Sequence, residues 1–301
     1  MPSPRIWISA MRLRTLPLSV SGILLGSGMA YYHGAWDSVI FVLALLTTIL
    51  FQVLSNFAND LGDSQKGTDN AQRIGPTRTV QSGAISKQQM KLAVIFTALL
   101  GTVSAGALIY FGAMDMPIEM ILTYVVLAIA CIVAAIVYTV GKGAYGYYGF
   151  GDLMVFVFFG GVSVLGVYSL FAKSFLLENV HLAIFAGLLS TAVLNLNNMR
   201  DYANDKRSGK NTLVVRMGPN SAKFYHMLLI FIGLLSLLIF IANTNHPALF
   251  LCALPAVFLV LHVYKVMRTQ HAKDFDPELK KVALSTFAVS LALMIGLILT
   301  A

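Results

Sequence analysis

Residues 224–264 read FYHMLLIFIGLLSLLIFIANTNHPALFLCALPAVFLVLHVY, a stretch without a single Asp, Glu, Lys or Arg. A helix crosses the hydrocarbon core of a bilayer with about 20 apolar residues, so this stretch holds two crossings. Asn243-Thr-Asn-His-Pro247 interrupts it as a tight turn, because Asn favours turns and Pro cannot continue the first helix. Working outward from this pair, seven more apolar runs of spanning length appear. The nine candidates cover 15–33, 38–58, 91–113, 118–140, 150–172, 180–199, 223–242, 247–265 and 282–300. The chain is therefore expected to be all-α and polytopic, a single intramembrane domain over 1–301.

Composition agrees. Of 301 residues 57% are hydrophobic and only 11% charged, and the mean hydropathy is +0.77, against about 25% charged in soluble domains. Disorder is excluded by the apolar content. Cys131 and Cys252 lie inside apolar runs and read as small buried hydrophobes rather than a disulfide scaffold. The first run, from Thr15 to Tyr32, exceeds the apolar region of a secretory signal and reads as a retained helix. Gly22, Gly26, Gly101, Gly160, Gly161 and Pro255 within the runs are expected to serve close helix packing or local kinks.

The formal charge of +8 would suggest nucleic acid in a soluble protein. The positions of the charges give another reason. With nine spans, twenty of the twenty-one Lys and Arg residues fall on the side of the N-terminus, and Lys173 alone falls on the other. The positive-inside rule makes the rich side cytoplasmic. No nucleic-acid partner is expected, and the chain is placed in a bacterial cytoplasmic (inner) membrane with its N-terminus inside. Cysteines introduced at Gln65, Ser208 and Gln270 are expected to react only with reagents reaching the cytoplasmic face, and one at Asp115 from outside. Same-side labelling of Asp115 and Gln65 would contradict the nine-span topology.

Two segments on the cytoplasmic side echo each other. After span 2 come Asn56, Asn59, Asp60, Asp63, Lys66, Asp69 and the tetrad Arg73-Ile-Gly-Pro76; after span 6 come Asn198, Arg200, Asp201, Asp205, Lys210 and Arg216-Met-Gly-Pro219. Asn56 and Asn198 are 142 residues apart, as are Asp63 and Asp205, and the tetrads are 143 apart. An even number of spans lies between, which predicts two parallel four-helix pseudo-repeats, about 15–140 and about 150–265, followed by a last helix at about 282–300.

Asp60 and Asp63 are spaced i,i+3, and Asp201 and Asp205 i,i+4, so at a helix end each pair shares one face. Carboxylate and Asn oxygens suit Mg²⁺, which commonly shares its sphere with phosphate. Lys and Arg bind phosphate directly. Two such clusters at the mouth of a lipid-embedded bundle predict a site for a Mg²⁺-bound diphosphate carrying an apolar tail, such as a polyprenyl diphosphate. Between spans 4 and 5, Tyr138, Lys142, Tyr145, Tyr147 and Asp152 lie on the same side. Aromatic faces there could stabilise an allylic cation, with an interfacial aromatic belt as the plainer reading for most.

Asn59-Asp-x-x-Asp-x-x-Lys-Gly-Thr-Asp69 with Arg73-Ile-Gly-Pro-x-Arg78, and Asn198-x-Arg-Asp-x-x-x-Asp205 with Gly209-Lys-x-Thr-Leu213, resemble the two signatures of the UbiA superfamily of intramembrane prenyltransferases. The form with Lys66-Gly-Thr-Asp, Tyr138-Thr-x-Gly and Gly209-Lys-x-Thr-Leu is similar to the members that act on 1,4-dihydroxy-2-naphthoate. Leu13 and Ala144 stand where the family commonly has Pro. The resemblance implies transfer of a polyprenyl chain from its diphosphate to that naphthoate, with loss of diphosphate and CO₂, giving a demethylmenaquinone in its quinol form. It implies metal binding by Asp60, Asp63, Asp201 and Asp205, with Asn56, Asn59 and Asp69 nearby. It implies diphosphate contacts from Lys66, Arg73, Arg78, Arg200 and Lys210, and from Arg12. Lys142 is a candidate for orienting the acceptor's carboxylate, with Tyr138 and Tyr147 beside its ring.

A 4-hydroxybenzoate prenyltransferase would share the acidic motifs but retain the ring carboxylate. A cation or organic-anion transporter more often sets ionisable groups at mid-membrane, whereas every acidic group here lies at a span end or in a loop. The six histidines are assigned no role, and neither chain length of the prenyl group nor oligomeric state is legible.

Overall fold

A computed structural model describes residues 2–70 and 72–301. Among the described residues there is no strand, and nine helical segments are long and apolar enough to cross a membrane. In order, the first span joins α1 (Pro4–Met11) to α2 (Leu16–Tyr32); then follow α3 (Ser38–Gln65), α4 (Lys87–Ala113) and α5 (Ile118–Val137). The fifth span comprises α6 (Gly151–Phe156), a π-wound segment (Val157–Gly166) and α7 (Val167–Ala172). The rest is α8 (Asn179–Arg207), the short α9 (Leu213–Met217), α10 (Pro219–Thr244), α11 (Ala253–Arg268) and α12 (Phe275–Thr300). The chain is a multi-pass membrane protein.

Local chemistry sets the helix limits. The Asp37 carboxylate accepts from the amides of Val39 (2.7 Å) and Ile40 (3.1 Å) to start α3. Ser86 and Gln89 form a reciprocal capping box on α4. Asn245 ends α10 in the left-handed region at φ 54°, and Pro247 opens the next turn, so the break in the uncharged stretch falls where its sequence puts it.

The bundle is built around α8. Two thirds of its apolar window is buried, against 11% for α5, and Leu182, Phe185, Leu189, Ala192 and Leu196 are fully enclosed. It packs on α10 and on the π-wound segment, while α2 packs on α12 and α3 on α4. Close approach is what the glycines permit. A methyl group on Gly26 would lie 2.6 Å from the Val164 carbonyl oxygen, and one on Gly160 would collide with that of Ala183. Gly161 departs from expectation, since open space surrounds it. Pro255 sits in the first turn of α11, just after the 3₁₀ turn Pro247–Cys252.

Two spans differ in length from the sequence reading in a way that matters. The second continues past residue 58 to Gln65 and the sixth past 199 to Arg207. Hydropathy ends a span at the first polar cluster. These helices continue because their polar ends are buried against protein rather than lipid: Asp60, Asp63, Asn198, Arg200, Asp201 and Asp205 are all buried. The acidic motifs are therefore the last two turns of two helices, not loops.

Candidate active site

Helical spacing puts Asp60 and Asp63 on one face of α3, and Asp201 and Asp205 on one face of α8. The two helix ends are tied together. Arg73 lies 3.2 Å from Asp69 and 3.5 Å from Asp201, and the Asn204 amide donates to the Thr68 carbonyl at 2.7 Å. Lys210 approaches Asp63 at 3.8 Å. Tyr147 donates to Asp63 at 2.8 Å and faces Thr68 at 2.5 Å, so Thr68 is the donor in the second bond. The Tyr147 ring lies under both Lys66 (3.9 Å) and Lys210 (5.3 Å), a cation–π arrangement.

These contacts fix charge states. Burial alone would lower the Lys210 ammonium, but Asp63 and Asp205 outweigh it and hold its pKa above the ordinary lysine value. Asp69 is pushed up to about 7 by burial and by Asp63, against the pull of Arg73 and Arg12.

The site's unsatisfied atoms are of two kinds. Asp60 binds the Thr79 amide (3.2 Å) and hydroxyl (2.5 Å) through Oδ2 alone, and its Oδ1 is buried without a donor, as are Oδ1 of Asn198 and Asn204. Among the described residues Arg12 Nη2 is buried without an acceptor, and Arg78 Nε makes no hydrogen bond, with Asp69 Oδ1 3.7 Å away. Among the described residues no three carboxylates, imidazoles or thiols converge closely enough to hold a metal ion alone. Orphan oxygens that want a cation beside orphan guanidinium donors that want an anion nonetheless fit a divalent ion and a diphosphate together.

A cavity of about 390 Å³ opens from this end into the bundle. Arg12, Asn59, Asp63, Arg78, Tyr138 and Lys210 line its polar end; Phe51, Phe158 and Phe159 line its middle; Leu108, Ile109, Tyr124 and Leu170 line its far end.

Some expected residues do other work. Asn56 donates to the Met11 carbonyl (2.8 Å) and the Thr15 hydroxyl (3.2 Å), clamping the break between α1 and α2 that presents Arg12. Asn59 accepts from Thr139 at 3.2 Å. Arg200 is 1% exposed and spends its guanidinium on Asp201, Asn197 and Asp276, leaving little for a ligand. Lys142 is exposed and lies outside the cavity lining, in a turn between two glycines. Thr79, Asn204 and Asp276 were missed by the sequence reading. A threonine following the Arg-Ile-Gly-Pro-x-Arg run was a weak signal; Asp276, 75 residues beyond Asp201, gave none.

Residues 19–298 match the family model described as the UbiA prenyltransferase family. The chain is 39% identical to a 1,4-dihydroxy-2-naphthoate octaprenyltransferase of Escherichia coli (strain K12), over 98% of this chain and 95% of that one. A UbiA homolog from Aeropyrum pernix K1 shares the fold at a TM-score of 0.67 and 14% identity, covering 97% of this chain and 98% of that one. A UbiA homolog from Archaeoglobus fulgidus, solved with DMAPP and Mg²⁺, does so at 0.60 and 16%, covering 94% and 98%. With a family match over nearly its whole length and the acidic end of α3 lining a cavity in the bundle through Asp63, the chain belongs to the UbiA prenyltransferase family and is a prenyltransferase.

Proposed function

We propose that the chain transfers a polyprenyl group from polyprenyl diphosphate to 1,4-dihydroxy-2-naphthoate, releasing diphosphate and CO₂, at the cytoplasmic face of a bacterial inner membrane with its N-terminus inside. The observation that supports this most is a cavity whose apolar body ends at Arg12, Asp63, Arg78 and Lys210, one helical turn from the buried, unpaired Oδ1 of Asp60. The curated relative's name supplies the acceptor, and the Archaeoglobus homolog's ligands supply the class of donor and metal.

Asp60, Asp63, Asp201 and Asp205 would hold Mg²⁺, with Asp69 close by; the ion, when bound, supplies Lewis-acid stabilisation of the leaving diphosphate. Arg12, Arg78 and Lys210 face the diphosphate directly, while Lys66 and Arg73 flank it. The prenyl tail lies along Phe51, Phe158 and Phe159, where water is excluded as the carbon–oxygen bond breaks. The acceptor ring lies against Tyr138, with the side-chain amides of Asn59 and Asn197 offered to its hydroxyls.

The hydroxyls of the naphthoate push electron density onto the carbon that bears the carboxylate. Attack from that carbon on the allylic carbon forms the new carbon–carbon bond. The carbon–carboxylate bond then breaks, its electron pair restores aromaticity, and CO₂ leaves. No base is needed at the reacting carbon; the one carboxylate among the described residues that line the cavity, Asp63, is assigned to the metal. Prenylation of 4-hydroxybenzoate at a carbon bearing hydrogen would require a base.

The test is a membrane assay offering both aromatic acids with one prenyl diphosphate. The naphthoate is expected to be consumed with matching diphosphate release. Efficient use of 4-hydroxybenzoate would overturn the acceptor, and no diphosphate release from either would overturn the reaction.

A further inference from the structure

We infer that Asp276, in the first turn of α12, is a positioning residue that sets the charge available at Asp201, acting through Arg200. The inference rests on the reading above that Asp201 holds the metal.

Arg200 is buried between two carboxylates. Its Nε donates to Asp201 Oδ1 at 3.0 Å and its Nη2 to Asp201 Oδ2 at 2.7 Å, a two-pronged clamp. Its Nη1 donates to Asp276, and Nη2 also reaches Asn197 at 2.7 Å. A buried Arg with Asp201 alone would make a neutral pair, and Asp201 would have little charge left for a cation. The second carboxylate changes that sum. Arg200, Asp201 and Asp276 together carry one net negative charge, and Arg73, 3.5 Å from Asp201, is shared with Asp69 at 3.2 Å, so Asp201 stays an anionic ligand while Arg200 still fixes the plane of its carboxylate. A carboxylate has about four lone-pair sites; the clamp uses two and Arg73 Nη2, 3.5 Å from Oδ2, takes a third, leaving one for an ion.

Asp276 is placed for this and little else. It is one third exposed, and among the described residues its ion-pair partners are Arg200 and Arg14, the latter 3.8 Å away and half exposed. Its backbone begins α12, which packs along α2 and α8, so the ninth span delivers a charge to a site whose visible motifs lie on the second and sixth. The arrangement also accounts for Arg200 standing in the acidic motif without facing the cavity.

The test uses the purified full chain in detergent and reads the rise in Tm on titration with Mg²⁺ in the presence of inorganic diphosphate, with no turnover required. Asp276→Asn is expected to raise the Mg²⁺ concentration giving half the rise by about tenfold, as loss of a unit charge near a buried ion site implies. Asp276→Glu is expected to restore the midpoint, which repair of packing alone would not do. If Asp276→Asn does not fold, Arg14→Gln moves the charge the opposite way from the surface and is expected to lower the midpoint about twofold. Asp201→Asn is expected to abolish the rise. A wild-type midpoint in Asp276→Asn, or in Arg14→Gln where the first variant is unfolded, with Asp201→Asn still abolishing the rise, overturns the inference and leaves the metal reading standing. A wild-type rise in Asp201→Asn overturns the metal reading and the inference with it.

Discussion

Asp60→Asn and Asp201→Asn are each expected to slow prenyl transfer by roughly a hundredfold or more, consistent with the several kcal/mol that a Lewis-acid metal supplies. Two decades of rate correspond to about 2.7 kcal/mol. At position 60 the local geometry adds to the loss of charge. Thr79 supplies two donors to one oxygen of Asp60, while the other oxygen points unpaired into the site. An asparagine that keeps its carbonyl on Thr79 presents its NH₂ group where the proposed ion would sit, so a donor replaces an acceptor. At position 201 the change leaves Arg200 with Asp276 as its remaining carboxylate partner. Initial rates in membranes, with and without chelator, check both variants. Full activity in both, or in chelator-treated wild type, would remove the acidic helix ends from the mechanism.

Lys210→Met is expected to cost about as much in rate, with a different signature. Lys210 faces Asp63 at 3.8 Å, and Asp63 and Asp205 keep it protonated. Because its folded pKa lies above the unfolded value, the stability it contributes is fully present below pH 10 and is lost only as pH rises through the folded value. No rate change between pH 6 and 9 should therefore trace to Lys210 itself. Removing it takes a close cation from two buried carboxylates, a class of change that costs up to about 3–5 kcal/mol, and removes the contact proposed above for the diphosphate. The KM for prenyl diphosphate is expected to rise at least tenfold, while the Mg²⁺ requirement stays level or falls because a repelling cation is gone. A raised Mg²⁺ requirement at unchanged KM would place Lys210 on the metal rather than the diphosphate.

The spans were legible because lipid imposes one rule on every residue that faces it, and runs of about 20 apolar residues obey it visibly. The acidic pairs were legible because i,i+3 and i,i+4 spacings mean the same face on any helix end. The limits of those helices were not, because hydropathy cannot tell a polar residue in water from one buried against protein. Asp60 and Asp201 stop the hydropathy run, yet both lie inside helices that continue to Gln65 and Arg207. Arg200 read as a phosphate ligand from its place in the motif; its partner Asp276 comes from another span, and pairing across spans has no period in sequence. Lys142 stands out in sequence as one of two charges, with Asp152, among aromatics, and it is exposed in a turn between two glycines.

The histidines show the same limit from the other side. His226 and His262 meet at 2.8 Å, and His262 bonds Glu278 at 2.7 Å, where Lys265 and Lys281 also converge. Sequence assigned them no chemistry, and in the structure they tie α10, α11 and α12 together away from the cavity. What sequence did not show was that Glu278, fully buried, needed three cationic or imidazole partners to be there.

The most direct measurement of the central claim follows the carboxyl carbon of the acceptor. Membranes containing the chain are given prenyl diphosphate and 1,4-dihydroxy-2-naphthoate labelled at that carbon. One labelled CO₂ is expected for each prenyl chain transferred and each diphosphate released, with no label in the prenylated product. Label retained in a prenylated product would contradict attack at the carboxyl-bearing carbon, and with it the account of a site that needs no base.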